Sequence, residues 1–192
     1  MIVKMIQQLL NHGNTCFTFQ EIFNLYQKNE DSLRHLLTRY KKQGILLNPK
    51  QGIRTLPHYN QEELASKLFP GWYLSLERVL FDVGVNFQRY AWTQTVIWTK
   101  NTSLDVNDEH YLSYSIKSDL YHNSLYIQEY NGIRKAMPER ALCDLVYLNP
   151  NTWLDNPQYF QTDQSIRRLK KLLPFYPKST QQHVMKFLTQ QI

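Results

Sequence analysis

The stretch Asp31-Ser32-Leu33-Arg34-His35-Leu36-Leu37-Thr38-Arg39-Tyr40-Lys41-Lys42-Gln43-Gly44 constrains this chain more than any other. Leu33, Leu36, Leu37 and Tyr40 recur at i, i+3, i+4 and i+7, which gathers them on one stripe of a helix. Asp31, His35, Thr38 and Lys42 fall on the opposite face, flanked by Arg34, Arg39 and Lys41. One side is built to be buried and the other to meet something anionic. Asp31 or Ser32 is placed to cap the start, the cations crowd the end where the dipole is negative, and Gly44 offers a left-handed stop.

The flanking residues extend the pattern. Thr18-Phe19-Gln20-Glu21 has the form of a capping box and opens a short helix through Gln27, with Ile22, Phe23, Leu25 and Tyr26 mostly inward. Lys28-Asn29-Glu30 is short enough for a helix-turn-helix connection. Upstream, Ile2, Met5, Ile6, Leu9 and Leu10 predict a first amphipathic helix ending near His12-Gly13. Downstream, Ile45-Leu46-Leu47 and Ile53-Arg54-Thr55-Leu56 are apolar runs around Asn48-Pro49-Lys50-Gln51-Gly52, which reads as a hairpin loop. Helix, helix, helix, hairpin is the order of a winged helix-turn-helix module.

Charge agrees with that order. Residues 1–55 hold eight of the chain's 22 Lys and Arg (Lys4, Lys28, Arg34, Arg39, Lys41, Lys42, Lys50, Arg54) and three of its 16 acids (Glu21, Glu30, Asp31), a net of +5 within a total of +6. Nearly all the excess sits on the module whose shape suits a major groove. The shift near Leu56 predicts two domains, 1–56 and 57–192. Ser32, Arg34, His35, Thr38 and Arg39 are candidates for base edges or phosphates, Lys41 and Lys42 for the backbone, and Lys50 or Arg54 on the wing for a minor groove or phosphate. Compensation of the helix dipole alone would also explain Lys41 and Lys42.

At 42% hydrophobic residues the chain can pack cores, which excludes a disordered protein. Cys16 and Cys143 stand far apart with no His or Cys at ligand spacing, so neither a disulfide framework nor a metal site is suggested, and a reduced cytoplasm fits best. No secretory signal or membrane span is evident.

The remaining residues predict an α+β domain: a small, mostly antiparallel sheet with flanking helices. Gln61–Phe69 and Ser75–Gly84 read as helices, the second capped by Ser75 and stopped at Gly84. Thr93-Gln94-Thr95-Val96-Ile97-Trp98-Thr99 and Tyr111-Leu112-Ser113-Tyr114-Ser115-Ile116 have strand texture. Ser124–Tyr130 leads through Asn131-Gly132, a strong hairpin signal, into Ile133-Arg134-Lys135. Met137–Leu148 is a helix with Pro138 in its first turn and Ala141, Leu142, Leu145, Val146 and Leu148 inward. Ile166, Leu169, Leu172 and Leu173 alternate with Arg167, Arg168, Lys170 and Lys171 in a later helix ended by Pro174, and Ser179–Gln191 makes the last. Arg167, Arg168, Lys170 and Lys171 are candidates for phosphate or partner contact.

No catalytic constellation emerges. Glu139 and Asp144, five residues apart, lie roughly 140° from one another on a helix, a poor geometry for a shared metal or an acid/base pair. Glu77 and Asp82 share that spacing. Ser and His lack a nucleophile-elbow context, and the six Gly form no phosphate loop. Asp105, Asp108, Glu109 and His110 form one acidic cluster that a solvated loop explains. The expectation is a protein that is not an enzyme and holds no cofactor, with a metal-dependent nuclease or a stand-alone protein-docking module of non-specific nucleic-acid affinity as alternatives.

The run Ile133-Arg134-Lys135-Ala136-Met137-Pro138-Glu139-Arg140-Ala141-Leu142-Cys143-Asp144, preceded by Tyr73-Leu74-Ser75-Leu76 and by the N-terminal module, resembles the AbiEi family. These are antitoxins and transcriptional regulators of bacterial abortive-infection toxin–antitoxin pairs. The resemblance implies a winged helix that binds repeats in the promoter of its own operon as a repressor. It also implies a C-terminal domain that counteracts a nucleotidyltransferase-like toxin. The polar segment from Trp98 to His110 and the connector from Asn149 to Pro157 depart from the family pattern.

Overall fold

The computed structural model describes residues 7–189 apart from 10, 12, 27, 28, 88–92 and 108. The chain divides into two compact units, Met1–Pro70 and Gly71–Ile192. Of the first predicted helix, Ile2, Met5, Ile6, Leu10 and His12 lie outside the described residues, whereas residues 7–9 are helical and Leu9 is buried.

In the first unit strand β1 (Cys16–Thr18) leads directly into the helix Phe19–Tyr26, followed by the helix Glu30–Lys42, strand β2 (Ile53–Thr55) and the helix Gln61–Leu68. β1 pairs antiparallel with β2 from Cys16↔Thr55 to Thr18↔Ile53. Leu47 bridges Thr55 with N–H···O bonds of 2.8 and 3.1 Å in the two directions, so the predicted hairpin closes through one antiparallel bridge. The predicted stripe is the core: Leu33, Leu37 and Tyr40 pack with Leu9, Phe17, Ile22 and Leu46, and Leu36 lies at its margin.

The helix ends follow local chemistry. The capping box forms, with Thr18 N–H donating to Glu21 Oε2 at 2.7 Å and Glu21 N–H to Thr18 Oγ1 at 3.2 Å. The N-cap of the next helix is Asn29 instead of Asp31 or Ser32: its Oδ1 accepts from Asp31 N–H at 2.8 Å, and the helix begins at Glu30, earlier than either of those caps would allow. At the other end Gly44 takes φ +67°, Ile45 N–H reaches the Tyr40 carbonyl at 3.0 Å and Gly44 N–H the Lys41 carbonyl at 3.1 Å, a Schellman stop.

The division falls at Pro70, later than the expected 1–56 and 57–192. The buried Glu63 carboxylate of the helix Gln61–Leu68 accepts from Thr15 N–H (2.8 Å), Thr15 Oγ1 (2.6 Å) and Cys16 N–H (3.0 Å), and Lys67 pairs with Glu21 at 2.6 Å. Charge thins out at Leu56, but the backbone goes on packing against β1.

The second unit is built on a six-stranded sheet in the order β5-β6-β4-β3-β8-β7. Its strands are β3 (Tyr73–Leu74), β4 (Thr93–Ile97), β5 (Thr102–Val106), β6 (Glu109–Tyr114), β7 (Ile127–Tyr130) and β8 (Ile133–Ala136). The sheet is mixed: β3–β8 and β4–β6 are parallel, while β3–β4, β5–β6 and β7–β8 are antiparallel. The Asn131-Gly132 turn is as predicted, with φ of 51° and 74°, both left-handed as a type I′ turn requires. β5 arises within the polar Trp98–His110 segment; on a sheet edge, solvent accepts polar side chains such as Ser103 and Asp105. Helices Leu76–Asp82, Ser118–His122, Pro138–Leu148, Asp163–Leu172 and Lys178–Thr189 complete the unit. No described helix is long and apolar enough to cross a membrane.

Both cysteines are buried as free thiols. Burial, then the nearby Glu63 charge, pushes the Cys16 thiol up to about 12, and burial, then Asp144, raises that of Cys143. Ellman's reagent at pH 8 should therefore titrate neither thiol in the folded protein and both in denaturant; prompt reaction of either before unfolding would contradict this packing.

Candidate functional site

The helix Glu30–Lys42 divides as its periodicity requires. Ser32, Arg34, His35, Thr38, Arg39, Lys41 and Lys42 are all exposed, so seven of the nine candidate nucleic-acid contacts lie on a single element. Their environments differ. The Arg34 guanidinium lies 4.7 Å from the centroid of the Phe19 ring and its Nε donates to Glu30 Oε1 at 3.0 Å. That i,i+4 pair is solvent-exposed and exchanges at little cost. Thr38 Oγ1 donates to the Arg34 carbonyl at 2.9 Å, keeping its lone pairs outward.

Beyond the helix the two remaining candidates part company. Lys50 is exposed at the tip of the 48–52 loop. Arg54 is half-buried and turned back into the hairpin: Nη1 donates to Asn48 Oδ1 and, at 2.9 Å, to the Ile53 carbonyl. Burial lowers the Arg54 pKa from its ordinary value. Arg54 thus braces the loop that presents Lys50.

In the second unit the residues that carry the family resemblance converge inside the protein. Arg140 and Asp144, i and i+4 on the helix Pro138–Leu148, are both 0% exposed and pair at 3.0 Å. Asp144 Oδ1 also accepts from Tyr176 OH (2.5 Å), and Oδ2 from Tyr73 OH (3.0 Å) and Ser75 Oγ (2.9 Å). Arg140 donates further to Tyr73 OH (2.8 Å) and to the carbonyls of Leu120 (2.7 Å) and Asn123 (2.8 Å). Burial first, then the Asp144 charge, raises both phenol pKa values; for Arg140 burial acts to lower the pKa, but Asp144, Tyr176 and Tyr73 together raise it. Ser75 is thus committed to Asp144, and makes no side-chain cap for the helix Leu76–Asp82, contrary to expectation.

Sequence reasoning missed this network. The available signal was an Arg and an Asp at i,i+4 on a helix whose neighbours Ala141, Leu142, Cys143 and Leu145 are apolar on every side, which places the pair in the interior.

The carboxylates considered for catalysis do not meet. Glu139 binds Ser165 and Arg168, whereas Asp144 serves the network above. Asp82 pairs with Arg78 and Lys135, each at 2.6 Å, while burial raises the pKa of Glu77. Asp105 is exposed and pairs across the β5–β6 ladder with His110, whose other ring nitrogen lies 3.4 Å from Ser103 Oγ. Glu109 is buried on the other side of β6, and Asp108 lies outside the described residues. Among the described residues no three His, Cys, Asp or Glu side chains gather as a metal site would need. Arg167, Lys170 and Lys171 are exposed and Arg168 is partly buried against Glu139.

No family model and no curated protein matches the chain. Among solved structures it is similar to the crystal structure of the RV2827C protein from Mycobacterium tuberculosis, with a TM-score of 0.60 and 14% identity over 97% of this chain and 76% of that one. At that identity the likeness shows the fold alone, a mixed α+β chain with a small antiparallel sheet and a larger mixed one.

Removing one member of a buried, hydrogen-bonded pair strands the other's charge, at a cost of about 3–5 kcal/mol. Asp144→Ala should lower the urea midpoint of the second unit accordingly, whereas Asp105→Ala on the exposed ladder should change it by less than about 1 kcal/mol. Equal, small effects would show that the network contributes little to stability.

Proposed function

We propose that the chain is a DNA-binding antitoxin and transcriptional regulator of the AbiEi kind. In this reading the first unit is a winged helix-turn-helix that represses its own operon, and the second counteracts a nucleotidyltransferase-like toxin, directly or indirectly. The observation that carries it is the exposed face of the helix Glu30–Lys42, where Arg34, Arg39, Lys41 and Lys42 stand among polar side chains while the apolar stripe is buried. Its setting supports the same reading. A helical segment, two helices and the bridged Leu47/β2 pair follow one another, with the strand β1, which was not expected, before the second helix and Lys50 at the loop tip. The antitoxin part rests on the resemblance of the Tyr73–Leu76 and Ile133–Asp144 motifs, which act as packing elements around Arg140 and Asp144.

Base-edge contacts would come from His35, Thr38 and Arg39 near the middle of the exposed face. Arg34, Lys41, Lys42 and Lys50 would grip phosphate, Arg34 by exchanging Glu30 for the anion. Ser32, in the first turn, is placed to donate to a backbone oxygen.

Fluorescence anisotropy against the operon's upstream DNA and a scrambled duplex, over several salt concentrations, tests this. Arg39→Ala should cost about 1–3 kcal/mol and relax preference for the operator. Lys42→Ala should weaken both duplexes alike and flatten the salt slope by about 0.9. Arg54→Ala should lower thermal stability and leave the salt slope alone. Equal, steeply salt-dependent binding to both duplexes would reduce the face to a merely basic surface, and no binding at all would remove the regulator reading.

A further inference from the structure

The helix Asp163–Leu172 carries more positive charge than its own dipole asks for. Lys170 and Lys171 stand in its last turn, where cations offset the partial negative charge, but Arg167 and Arg168 stand in its middle. Gln164, Arg167, Arg168 and Lys171 recur at i, i+3, i+4 and i+7, on one face, and together with Tyr126 they line an open cleft in the second unit.

The cleft is built, not simply solvated. Arg168 Nη1 donates to Glu139 Oε1 at 3.3 Å, and that carboxylate, 1% exposed, is itself held by Ser165 Oγ at 2.9 Å. Glu139 Oε2 is buried with no hydrogen-bond partner, so the pair is one oxygen to one N–H. A guanidinium has five donors in a flat fork, and anchoring it by one leaves an edge for a ligand in the cleft that it lines. Arg167 is anchored in the same manner, Nε to the Asp163 carbonyl at 3.2 Å. Both cations are pre-positioned, which lowers the entropy lost when an anion binds.

Across from them Tyr126 takes φ +61°, a left-handed conformation that costs a non-glycine residue about 1–3 kcal/mol. The Met137 N–H, donating to its carbonyl at 2.8 Å, holds it there. A strained aromatic residue is thus kept beside three cations and an amide.

We propose that this cleft binds a nucleoside phosphate, its phosphates on Arg167, Arg168 and Lys171 and its base against the Tyr126 ring, within reach of the Gln164 amide. Cations alone would serve any anion; the flat ring selects one that carries an aromatic group. The site lies wholly within the second unit and stands independently of the DNA-binding reading.

Isothermal titration of the full chain with ATP, GTP, inorganic pyrophosphate and adenosine tests it. The two nucleotides should bind, pyrophosphate should bind more weakly and adenosine not measurably. Arg167→Gln combined with Lys171→Gln should weaken ATP by about tenfold or more, equivalent to roughly 1.4 kcal/mol. Lys170→Gln, on the same helix but outside the cleft lining, should leave it within about twofold, as a surface change away from the contact does. Tyr126→Asn keeps a residue that tolerates left-handed φ while removing the ring, and should weaken ATP but not pyrophosphate. Absence of nucleotide binding at millimolar concentration would overturn the proposal, as would equal weakening by Lys170→Gln. Indifference of ATP to Tyr126→Asn, with pyrophosphate binding as tightly, would overturn the nucleoside part.

Discussion

The Arg140–Asp144 pair is the contact through which most of the second unit is tied together. Its partners come from β3 (Tyr73), from Ser75 just beyond it, from the carbonyls of Leu120 and Asn123, and from Tyr176 after the short helical turn at Leu173–Phe175. Two charges withdrawn from water are tolerable only when their lone pairs and N–H groups are taken up. Here each Asp144 oxygen accepts two bonds and Arg140 makes four. A polar hub of this kind is directional where an apolar core is not, so it specifies how helix, strand and turn meet. Leu76 shows the constraint: buried at 1% exposure, it takes φ +63° between Ser75, held by Asp144, and the helix that begins with it.

The first unit is organised otherwise. Its core is apolar, and the carboxylates of Glu63 and Glu21 serve backbone N–H groups at the ends of elements: Glu63 at the start of β1 and Glu21 at the start of the following helix. Neither draws on the cations of the helix Glu30–Lys42. In the second unit, by contrast, Arg168 is enlisted by a buried carboxylate, which makes it both structural and available.

What was legible before folding was local. The i, i+3, i+4, i+7 stripe of Leu33, Leu36, Leu37 and Tyr40, the capping box at Thr18 and Glu21, the Gly44 stop and the Asn131-Gly132 turn each depend on residues within one or two turns of each other. Candidate surface residues followed from the same periodicity. Arg54 did not, because its partners Asn48 and the Ile53 carbonyl depend on how the loop folds back. The two-residue strand β3 is not among the strands expected from the sequence, since so short a strand has no period of its own and exists only through neighbours β4 and β8.

Sequence by itself determined the longer helices, their buried faces, the cations of Glu30–Lys42 and the tight turns, because the physics that sets them acts over three or four residues; the short helix Ser118–His122 was not among them. Tertiary structure decided the mixed order of the sheet, the inclusion of Gln61–Leu68 in the first unit and the meeting of Tyr73, Ser75, Arg140, Asp144 and Tyr176. These depend on contacts between residues dozens of positions apart. Whether a carboxylate or guanidinium ends exposed, paired or buried is set by the partners that such contacts bring to it.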